Sequence, residues 1–350
     1  MKRVLLGMSG GVDSSVAAFL LQKEGYEVVG ATMALWDFKD GNKDTSIEDA
    51  RVVCNKLKID HHVLDFREDF KDLVVDNFID EYFAGKTPNP CVFCNKTIKF
   101  GLLFDKAREL GCDYVATGHY ALVDFNEKSG KYEIRKASSD SKDQTYVLYN
   151  LNQEKLARTL FPIGKYDKDA IREMAKKIGL EVHNKPDSQD ICFIPDHDYE
   201  GFLKENSKKK VEAGNFVDRS GKVLGRHKGI ISYTIGQRKG LGITFGKPTY
   251  VVAINGQDKS IVLGDNGDLF KTSLTARDVN FVEWSQDEVV GPIDVYAKVR
   301  YAAKPAQAKV TYIGKYRVRV DFVEPQRAIT SGQSVVFYSE DRLLGGGIIE

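Results

Sequence analysis

Strand and helix signals alternate along the first ~200 residues, and this alternation restricts the fold more than any other feature of the sequence. Apolar runs that predict strands (RVLLGM, EVVGATM, HHVLDF and CDYVATGHY) alternate with segments whose apolar spacing predicts helices (DSSVAAFLLQKEG, IEDARVVCNKLKI, FKDLVVDNFIDEYFAG and TIKFGLLFDKARELG). Such a series is typical of a doubly wound parallel sheet, whose ligands lie beyond the carboxyl ends of the strands. The turns that follow the strands are therefore candidate positions for a site.

The sequence pattern changes after the predicted helix DHDYEGFLKENSKKK. Short alternating runs such as GIISYTI, TYVVAI, AKVTYIG and QSVVFY follow, separated by Gly and Pro, and they indicate small β-barrels or sandwiches. We therefore predict an α/β fold with a doubly wound parallel sheet at residues 1–203. A small central β domain is predicted at 204–270 and a β-barrel at 271–350.

Composition narrows the class of protein. No apolar run approaches the ~20 residues that span a bilayer, and the apolar stretch after the first Met is too short for a signal peptide, so we expect a cytoplasmic location. Residues 208–350 carry 22 Lys and Arg against 15 Asp and Glu, which makes the β-rich part the better candidate for contact with a polyanion. Five cysteines, an odd number, argue against a structural disulfide framework.

The turn SGGVDSS follows the first predicted strand. It lacks the lysine of a Walker A motif and does not match G-x-G-x-x-G. Ser9, Gly10 and Gly11 expose backbone N–H groups at a helix N-terminus, where an anion is favoured, and the Ser14 hydroxyl is a further donor. Asp13 would repel phosphate unless a cation lay between them, and this suggests Mg²⁺.

Cysteines mark a second candidate site. The segment TPNPCVFCNKTIKFG places Cys91 and Cys94 in a C-x-x-C after two prolines, which predict an ordered turn. It leads into a helix whose N-terminus is expected to lower nearby thiol pKa values. Cys192 lies about 100 residues further on, in DSQDICFIPD, whereas Cys54 and Cys112 are predicted to fill the core.

SGGVDSS resembles the PP-loop of the ATP pyrophosphatase superfamily, whose members cleave ATP between the α and β phosphates. The whole chain resembles the family of tRNA-specific 2-thiouridylases, which install sulfur at C2 of the wobble uridine. The resemblance rests on SGGVDSS, the TPNP loop with CNKTIKFG, ATGHY, KDQTYVLY, DSQDICFI, GQRKGLGI, VRY, SGQSVVFY and LGGGIIE, in that order.

The resemblance implies two groups of binding residues. The first group would bind ATP and comprises Gly7, Met8, Ser9, Gly10, Gly11, Val12, Asp13, Ser14, Met33 and Gly118. The second would contact tRNA and comprises Asn89, Pro90, Cys91, His119, Lys142, Asp143, Gln144, Arg300, Tyr301 and Gln333. A hydrogen-bonded histidine without a catalytic role is an equal alternative for His119.

The resemblance also implies a reaction. Uracil O2 would attack the α-phosphate, and sulfur carried as a persulfide on Cys192 would then displace AMP, with Cys94 as the partner thiol or as one half of a later Cys94–Cys192 disulfide. A cysteine desulfurase or a sulfur-relay protein would supply the persulfide. The tRNAs for Lys, Glu and Gln would be the substrates.

The chain departs from the family pattern at Cys91, where many members have an Asp that is assigned acid–base work on the base. That role does not transfer here. Cys91, Cys94 and Cys192 could instead hold a [4Fe–4S] cluster, so a persulfide mechanism and a cluster mechanism both stay open. Another PP-loop adenylating ligase is a further alternative, although it leaves the paired cysteine sites unexplained.

Overall fold

A computed structural model describes residues 1–38, 45–184, 191–243, 246–285, 288 and 291–350, with the side chains of residues 183 and 184 left aside. Residues 187–190 of the DSQDICFI segment lie outside the described residues.

The N-terminal part contains a five-stranded parallel sheet. Its strands are β1 (Arg3–Gly7), β2 (Glu27–Ala34), β3 (Asp60–Asp65), β4 (Tyr114–Ala116) and β7 (Thr159–Leu160), in the order β3-β2-β1-β4-β7. Side chains of β1 alternate between two hydrophobic clusters, with Leu5 in one and Val4 and Leu6 in the other. Helices cover both faces, and the predicted doubly wound α/β fold is confirmed.

The helices of this part are α1 (Val12–Lys23), α2 (Ser46–Leu57), α3 (Arg67–Phe70), α4 (Asp76–Phe83), α5 (Pro90–Cys94), α6 (Leu103–Glu109), α7 (Gln153–Leu156), α8 (Lys168–Lys177) and α9 (Tyr199–Asn206). Short 3₁₀ turns occupy Thr145–Val147 and Glu181–Asn184. Helix α1 stops before Gly25, whose φ of 87° is the left-handed conformation that terminates helices. Cys54 and Cys112 are buried, as predicted.

Two helical runs contain π-helical segments. Lys71–Val75 joins α3 to α4, and Asn95–Leu102 joins α5 to α6. Apolar spacing predicts helix in both places, but the extra residue of a π turn leaves no mark in that spacing. π segments are rare in proteins, and those that occur are often found at functional sites. The second segment, directly after Cys94, is therefore a candidate part of a functional site.

A four-stranded sheet follows, made of β8 (Gly214–Val217), β9 (Val223–His227), β10 (Tyr250–Asn255) and β11 (Ser260–Gly264), in the order β10-β11-β8-β9. The run GIISYTI, predicted as a strand, contains instead the 3₁₀ turn Ile230–Ser232. Ile230 and Ile231 both pack into the core that this sheet shares with α4, so the run is buried by successive residues rather than by alternate ones.

The C-terminal part is a closed six-stranded barrel. It consists of β12 (Phe270–Phe281), β13 (Ile293–Lys298), β14 (Ala306–Gly314), β15 (Arg317–Arg327), β16 (Ser334–Ser339) and β17 (Arg342–Ile349), and pairing of β12 with β17 closes it. A 3₁₀ turn, Asn266–Leu269, precedes it. The small β domains of the prediction are confirmed as a fold class, while the boundaries at 203 and 270 stay a prediction.

A hairpin of the N-terminal part extends the sheet of the barrel. Its strands β5 (Ala121–Asn126) and β6 (Lys131–Lys136) follow β4 in the chain, and β6 pairs with β17. The polar sequence KYEIRK gave no strand signal, because Glu133 is buried by ion pairs with Arg135 and Arg342 rather than by apolar contacts. Within the described residues, no helix is both long and apolar enough to cross a membrane.

Candidate functional site

The glycine turn lies between β1 and α1, at the carboxyl edge of the parallel sheet. Gly10 has φ of 66°, and a Cβ there would lie 2.7 Å from the main-chain oxygen of Ser46 at the start of α2. The Ser14 hydroxyl accepts from the N–H of Ser9 and donates to the carbonyl of Gly11, both at 3.2 Å. Glycine is required here by the left-handed φ and by close packing, and the turn leads directly into the N-terminus of α1.

Other residues of the expected ATP group surround this turn. Gly7 ends β1, Val12 begins α1 as a buried residue, and Met33 lies half-buried near the end of β2. Met8 is buried and its N–H donates to the carbonyl of Ala31 at 2.8 Å, so its backbone belongs to the sheet. Gly118 packs directly on α1, because a Cβ there would lie 3.0 Å from the nitrogen of Ser14.

Asp13 already has cationic and hydroxyl partners. Lys168, at the start of α8, places Nζ at 2.9 and 2.8 Å from the two carboxylate oxygens. The Tyr120 hydroxyl donates to Oδ1 at 2.7 Å. Only 12% of the Lys168 side chain is exposed, so the charge it brings to the turn is poorly screened. The cation that the sequence required beside Asp13 is thus supplied, at least in part, by a residue that sequence reasoning missed.

The loop that carries the cysteines is an ordered helical turn, as predicted. Asn89 caps α5 by accepting from the N–H of Cys91 at 3.1 Å, and Pro90 occupies the first turn. Asn95 donates to the carbonyl of Cys91 at 2.8 Å, and its own Oδ1 is buried without a hydrogen-bond partner. Cys91 is exposed and Cys94 is buried, at the end of α5 rather than at its beginning.

Cys192 is brought to Cys94 by an apolar cluster. Phe193 packs edge-on against the rings of Phe70 and Phe78, with centroids 5.5 Å apart in both pairs, and the same cluster contains Cys94. Cys94 and Cys91 lie close enough to Cys192 to raise the pKa of its thiol. None of the five cysteines is in a disulfide.

The expected lowering of thiol pKa values is wrong. Burial raises the pKa of Cys94 to about 11, because Cys94 lies at the C-terminal end of the short helix and is only 8% exposed. The pKa of Cys192 is also raised, first by burial of the thiol and then by the neighbouring Cys94 and Cys91. The residue as a whole is nevertheless exposed. Lys99 opposes the shift at Cys94 and at Cys192.

His119 follows Gly118, which packs on the nucleotide turn, and its ring contacts Phe100 in the π segment after Cys94. Its ring is buried between Phe100 and Phe161, with centroid distances of 6.0 and 5.9 Å, and its Nδ1 lies 2.7 Å from the Thr117 hydroxyl. Burial, and then the charge of Lys99, hold the pKa of His119 well below its usual value. The imidazole is therefore neutral at neutral pH, which suits a hydrogen-bonding role more than a cationic one.

A cluster on the three cysteines was one of the open alternatives. Among the residues that the structure describes, no set of three or more Cys, His, Asp or Glu side chains is arranged to hold a metal ion. The donor arrangement of this structure therefore does not fit a cluster.

The segment expected to contact tRNA is held between the sheet and the barrel. Gln144 exchanges two hydrogen bonds with the main chain of Tyr120, at 2.9 and 3.0 Å. The carboxylate of Asp143 accepts from the Thr145 hydroxyl at 2.7 Å, and its main-chain oxygen accepts from the Tyr301 hydroxyl at 3.1 Å. Lys142 is half-buried beside them.

Two further residues of that group lie on the barrel. Arg300 is exposed, two residues after the end of β13. Gln333 donates through Nε2 to the carbonyl of Thr87 at 2.7 Å, and the N–H of Thr87 donates to the carbonyl of Ser331 at 2.9 Å. These bonds fasten the barrel to the loop that carries Cys91, a contact between distant segments for which the sequence holds no signal.

Fold and site together define a class: an α/β nucleotide-binding protein with a PP-loop-like turn, a neighbouring pair of cysteines and two appended β domains. Three family models match the chain: the tRNA methyl transferase HUP domain at residues 2–196, the tRNA methyl transferase PRC-barrel domain at 200–265 and the aminomethyltransferase beta-barrel domain at 271–349.

Curated relatives match over the full length. A tRNA-specific 2-thiouridylase MnmA of Clostridioides difficile (strain 630) is 57% identical, with 100% of this chain and 98% of the relative covered. A tRNA-specific 2-thiouridylase MnmA 1 of Clostridium botulinum (strain Loch Maree / Type A3) is 56% identical, with 100% and 99% covered. The chain belongs to the tRNA-specific 2-thiouridylase family.

Similarity to solved structures is more remote. A 4-thiouridine synthetase in complex with RNA and bound ATP aligns with 59% of this chain and 50% of that chain, at 19% identity and a TM-score of 0.40. At that distance it carries no argument about the site.

Proposed function

We propose that this chain uses ATP to replace O2 of the wobble uridine of tRNA by sulfur. The observation that supports the proposal is a run of packing contacts from the nucleotide turn to the segment that follows Cys94. Gly118 packs on the start of α1, and the next residue, His119, packs on Phe100 in the π segment that follows Cys94. Membership of the 2-thiouridylase family over the full length supports the same activity.

Activation of the base is the first step of the proposed reaction. C2 of uracil is a poor electrophile, so O2 attacks the α-phosphate of ATP, pyrophosphate leaves and an adenylated base results. The N-terminus of α1, with the hydroxyl of Ser14, stabilises the phosphates, and Lys168 adds a positive charge beside them. Mg²⁺, when bound with ATP, would neutralise further phosphate charge, and Asp13 would hold it by exchanging a bond to Lys168 for one to the cation.

Sulfur transfer is the second step. The terminal sulfur of a persulfide on Cys192 attacks C2 and AMP leaves with its electron pair. The thiolate of Cys94 then attacks Sγ of Cys192, the S–S bond of the former persulfide breaks, and sulfur stays on C2. A Cys94–Cys192 disulfide remains, and an external dithiol must reduce it before the next turnover.

The thiol of Cys94 is expected to be unreactive before substrate binds. Because burial raises the pKa of Cys94 to about 11, the thiol is protonated at neutral pH and reacts slowly with solutes. Lys99 is the cation whose charge favours the thiolates of Cys94 and Cys192. We infer that deprotonation of Cys94 accompanies docking of the base rather than preceding it.

The partners follow from the same proposal. The anticodon loop is single-stranded, so its wobble base can be splayed out to contact Asn89, Cys91 and the 142–144 segment. The tRNAs for Lys, Glu and Gln, a cysteine desulfurase or sulfur-relay protein as donor, and a cytoplasmic location remain predictions.

The decisive experiment is an anaerobic single turnover with unmodified tRNA and ATP. The protein is treated with chelator to remove iron and loaded with persulfide, and thiolated uridine is measured by mass spectrometry of the digested tRNA. Good yield in one turnover is the expected result. No product, with activity restored by rebuilding an iron–sulfur centre, would refute the persulfide mechanism.

Cys91→Ser separates the two sulfur mechanisms. The persulfide mechanism predicts retained thiolation with this variant, because Cys91 takes no part in either step. A cluster mechanism predicts loss of bound iron and of activity together. Cys192→Ser is the matched control, since both mechanisms predict that it is inactive.

A further inference from the structure

Tyr120 contacts both halves of the proposed site. It lies four residues after β4, and its side chain is only 3% exposed. Its hydroxyl donates to Oδ1 of Asp13 at 2.7 Å, and Lys168, which binds the same carboxylate, lies over its ring with Nζ 5.9 Å from the centroid. The phenol therefore fixes the orientation of the acidic residue of the nucleotide turn.

The main chain of Tyr120 makes the second contact. Its N–H donates to Oε1 of Gln144 at 2.9 Å, and its carbonyl accepts from the N–H of Gln144 at 3.0 Å. The preceding residue, Asp143, accepts through its carbonyl from the hydroxyl of Tyr301 on the barrel side. Tyr120 thus joins Asp13 to the segment at which tRNA is proposed to bind, with hydrogen bonds from its hydroxyl at one end and from its main chain at the other.

We propose that Tyr120 is a positioning residue that couples nucleotide binding to tRNA binding. When tRNA holds the 142–144 segment, the paired main chains of Gln144 and Tyr120 hold the phenol, and the phenol holds Asp13 in the orientation that nucleotide requires. By thermodynamic linkage the effect is reciprocal, so each ligand raises the affinity for the other by the same factor. This inference rests on the proposed function, because it takes residues 142–144 as a tRNA contact.

The test is Tyr120→Phe, which removes the hydroxyl and retains the ring and both main-chain bonds. The affinity for a non-hydrolysable ATP analogue is measured by calorimetry with and without unmodified tRNA. For the parent protein we expect tRNA to raise the affinity by about 5-fold or more. For Tyr120→Phe we expect weaker binding of the analogue and no gain from tRNA.

Tyr114→Phe is the matched control. Tyr114 begins β4, the strand that precedes Tyr120, and its hydroxyl accepts from Lys2 at 2.7 Å. This variant is expected to keep the coupling factor of the parent protein. If loss of any tyrosine hydroxyl near β4 weakened the coupling, Tyr114→Phe would weaken it too. Thermal unfolding of both variants is measured alongside, and a Tyr120→Phe protein that melts like the parent excludes a merely structural loss.

Two outcomes overturn the inference: an equal gain from tRNA in Tyr120→Phe and in the parent, or no gain in the parent. Failure of the proposed function is recognised separately, by the absence of thiolated uridine when the parent protein turns over with tRNA and ATP. A parent that thiolates tRNA while Tyr120→Phe keeps the full coupling would remove only the role of Tyr120.

Discussion

The pKa of Cys94 permits a quantitative prediction about the reactivity of the thiol pair. An ordinary thiol with a pKa of 9.0 is about one tenth ionised at pH 8, whereas a thiol with a pKa of about 11 is ionised to about one part in a thousand. Since only the thiolate is alkylated, Cys94 should react with iodoacetamide about 100-fold more slowly than the same residue in the unfolded chain.

Substitution of Lys99 tests how its charge affects the pKa of Cys94. Lys99→Met removes the cation that lowers the pKa of Cys94, so alkylation should slow by a further factor of about 2 to 10 at pH 8. Lys96→Met is the control, because Lys96 is exposed in the same π segment. We expect it to leave the rate unchanged.

Peptide mass spectrometry follows each cysteine separately between pH 7 and 10. The pH profile separates the two causes of slow reaction, because poor access lowers the rate equally at every pH whereas a raised pKa moves the midpoint. The rate for Cys94 should still be rising about tenfold per pH unit at pH 10. A midpoint at or below pH 9 would show that burial does not control this thiol, and an unchanged profile in Lys99→Met would remove Lys99 from the account.

Three further changes have defined outcomes. Asp13→Ala should abolish pyrophosphate release while tRNA binding in a filter assay persists, and release at the parent rate would contradict the role of Asp13. Gly10→Ala should lower the free energy of unfolding by about 1–3 kcal/mol in urea titrations and weaken nucleotide binding, because the left-handed φ and the contact with α2 both oppose a Cβ. Burial alone would raise the pKa of Glu200, but hydrogen bonds from Lys204 and Lys228 outweigh it and lower the pKa to about 2. The ion pairs therefore stabilise the fold above the ordinary pKa of 4.5, and this contribution is lost as the pH falls towards 2. Glu200→Gln should cost about 1–2 kcal/mol at pH 7 after allowance for the exposed lysines, and a cost that persisted at pH 2 would rule this reasoning out.

Local sequence patterns predict the parts of the fold that local chemistry decides. The strand and helix around SGGVDSS are found close to their predicted bounds because apolar periodicity and the stop at Gly25 act over a few residues. The hairpin of β5 and β6 escapes prediction because its partner β17 is about 200 residues away. GIISYTI is wrong as a strand because its isoleucines meet one core with successive residues.

The candidate site divides in the same way. The glycines and the C-x-x-C can be identified from the sequence because neighbouring residues determine the turn and the helix that hold them. Lys168 and Tyr120 cannot be identified in this way, since each contacts Asp13 from more than 100 residues away in the sequence. The predicted direction of the thiol pKa shifts is wrong. The position of a helix can be predicted from the sequence, whereas the burial that dominates these pKa values cannot.

The bonds between Gln333 and Thr87 and the pairing of β17 with β6 bear on the order in which the protein is made. The loop with Cys91 and Cys94 leaves the ribosome early, yet the segments that brace it are among the last to be synthesised. A nascent or truncated chain therefore has the nucleotide turn but not the braced cysteine loop. The bonds from Gln333 and Ser331 to Thr87 are therefore expected to form only after the C-terminal strands have been synthesised.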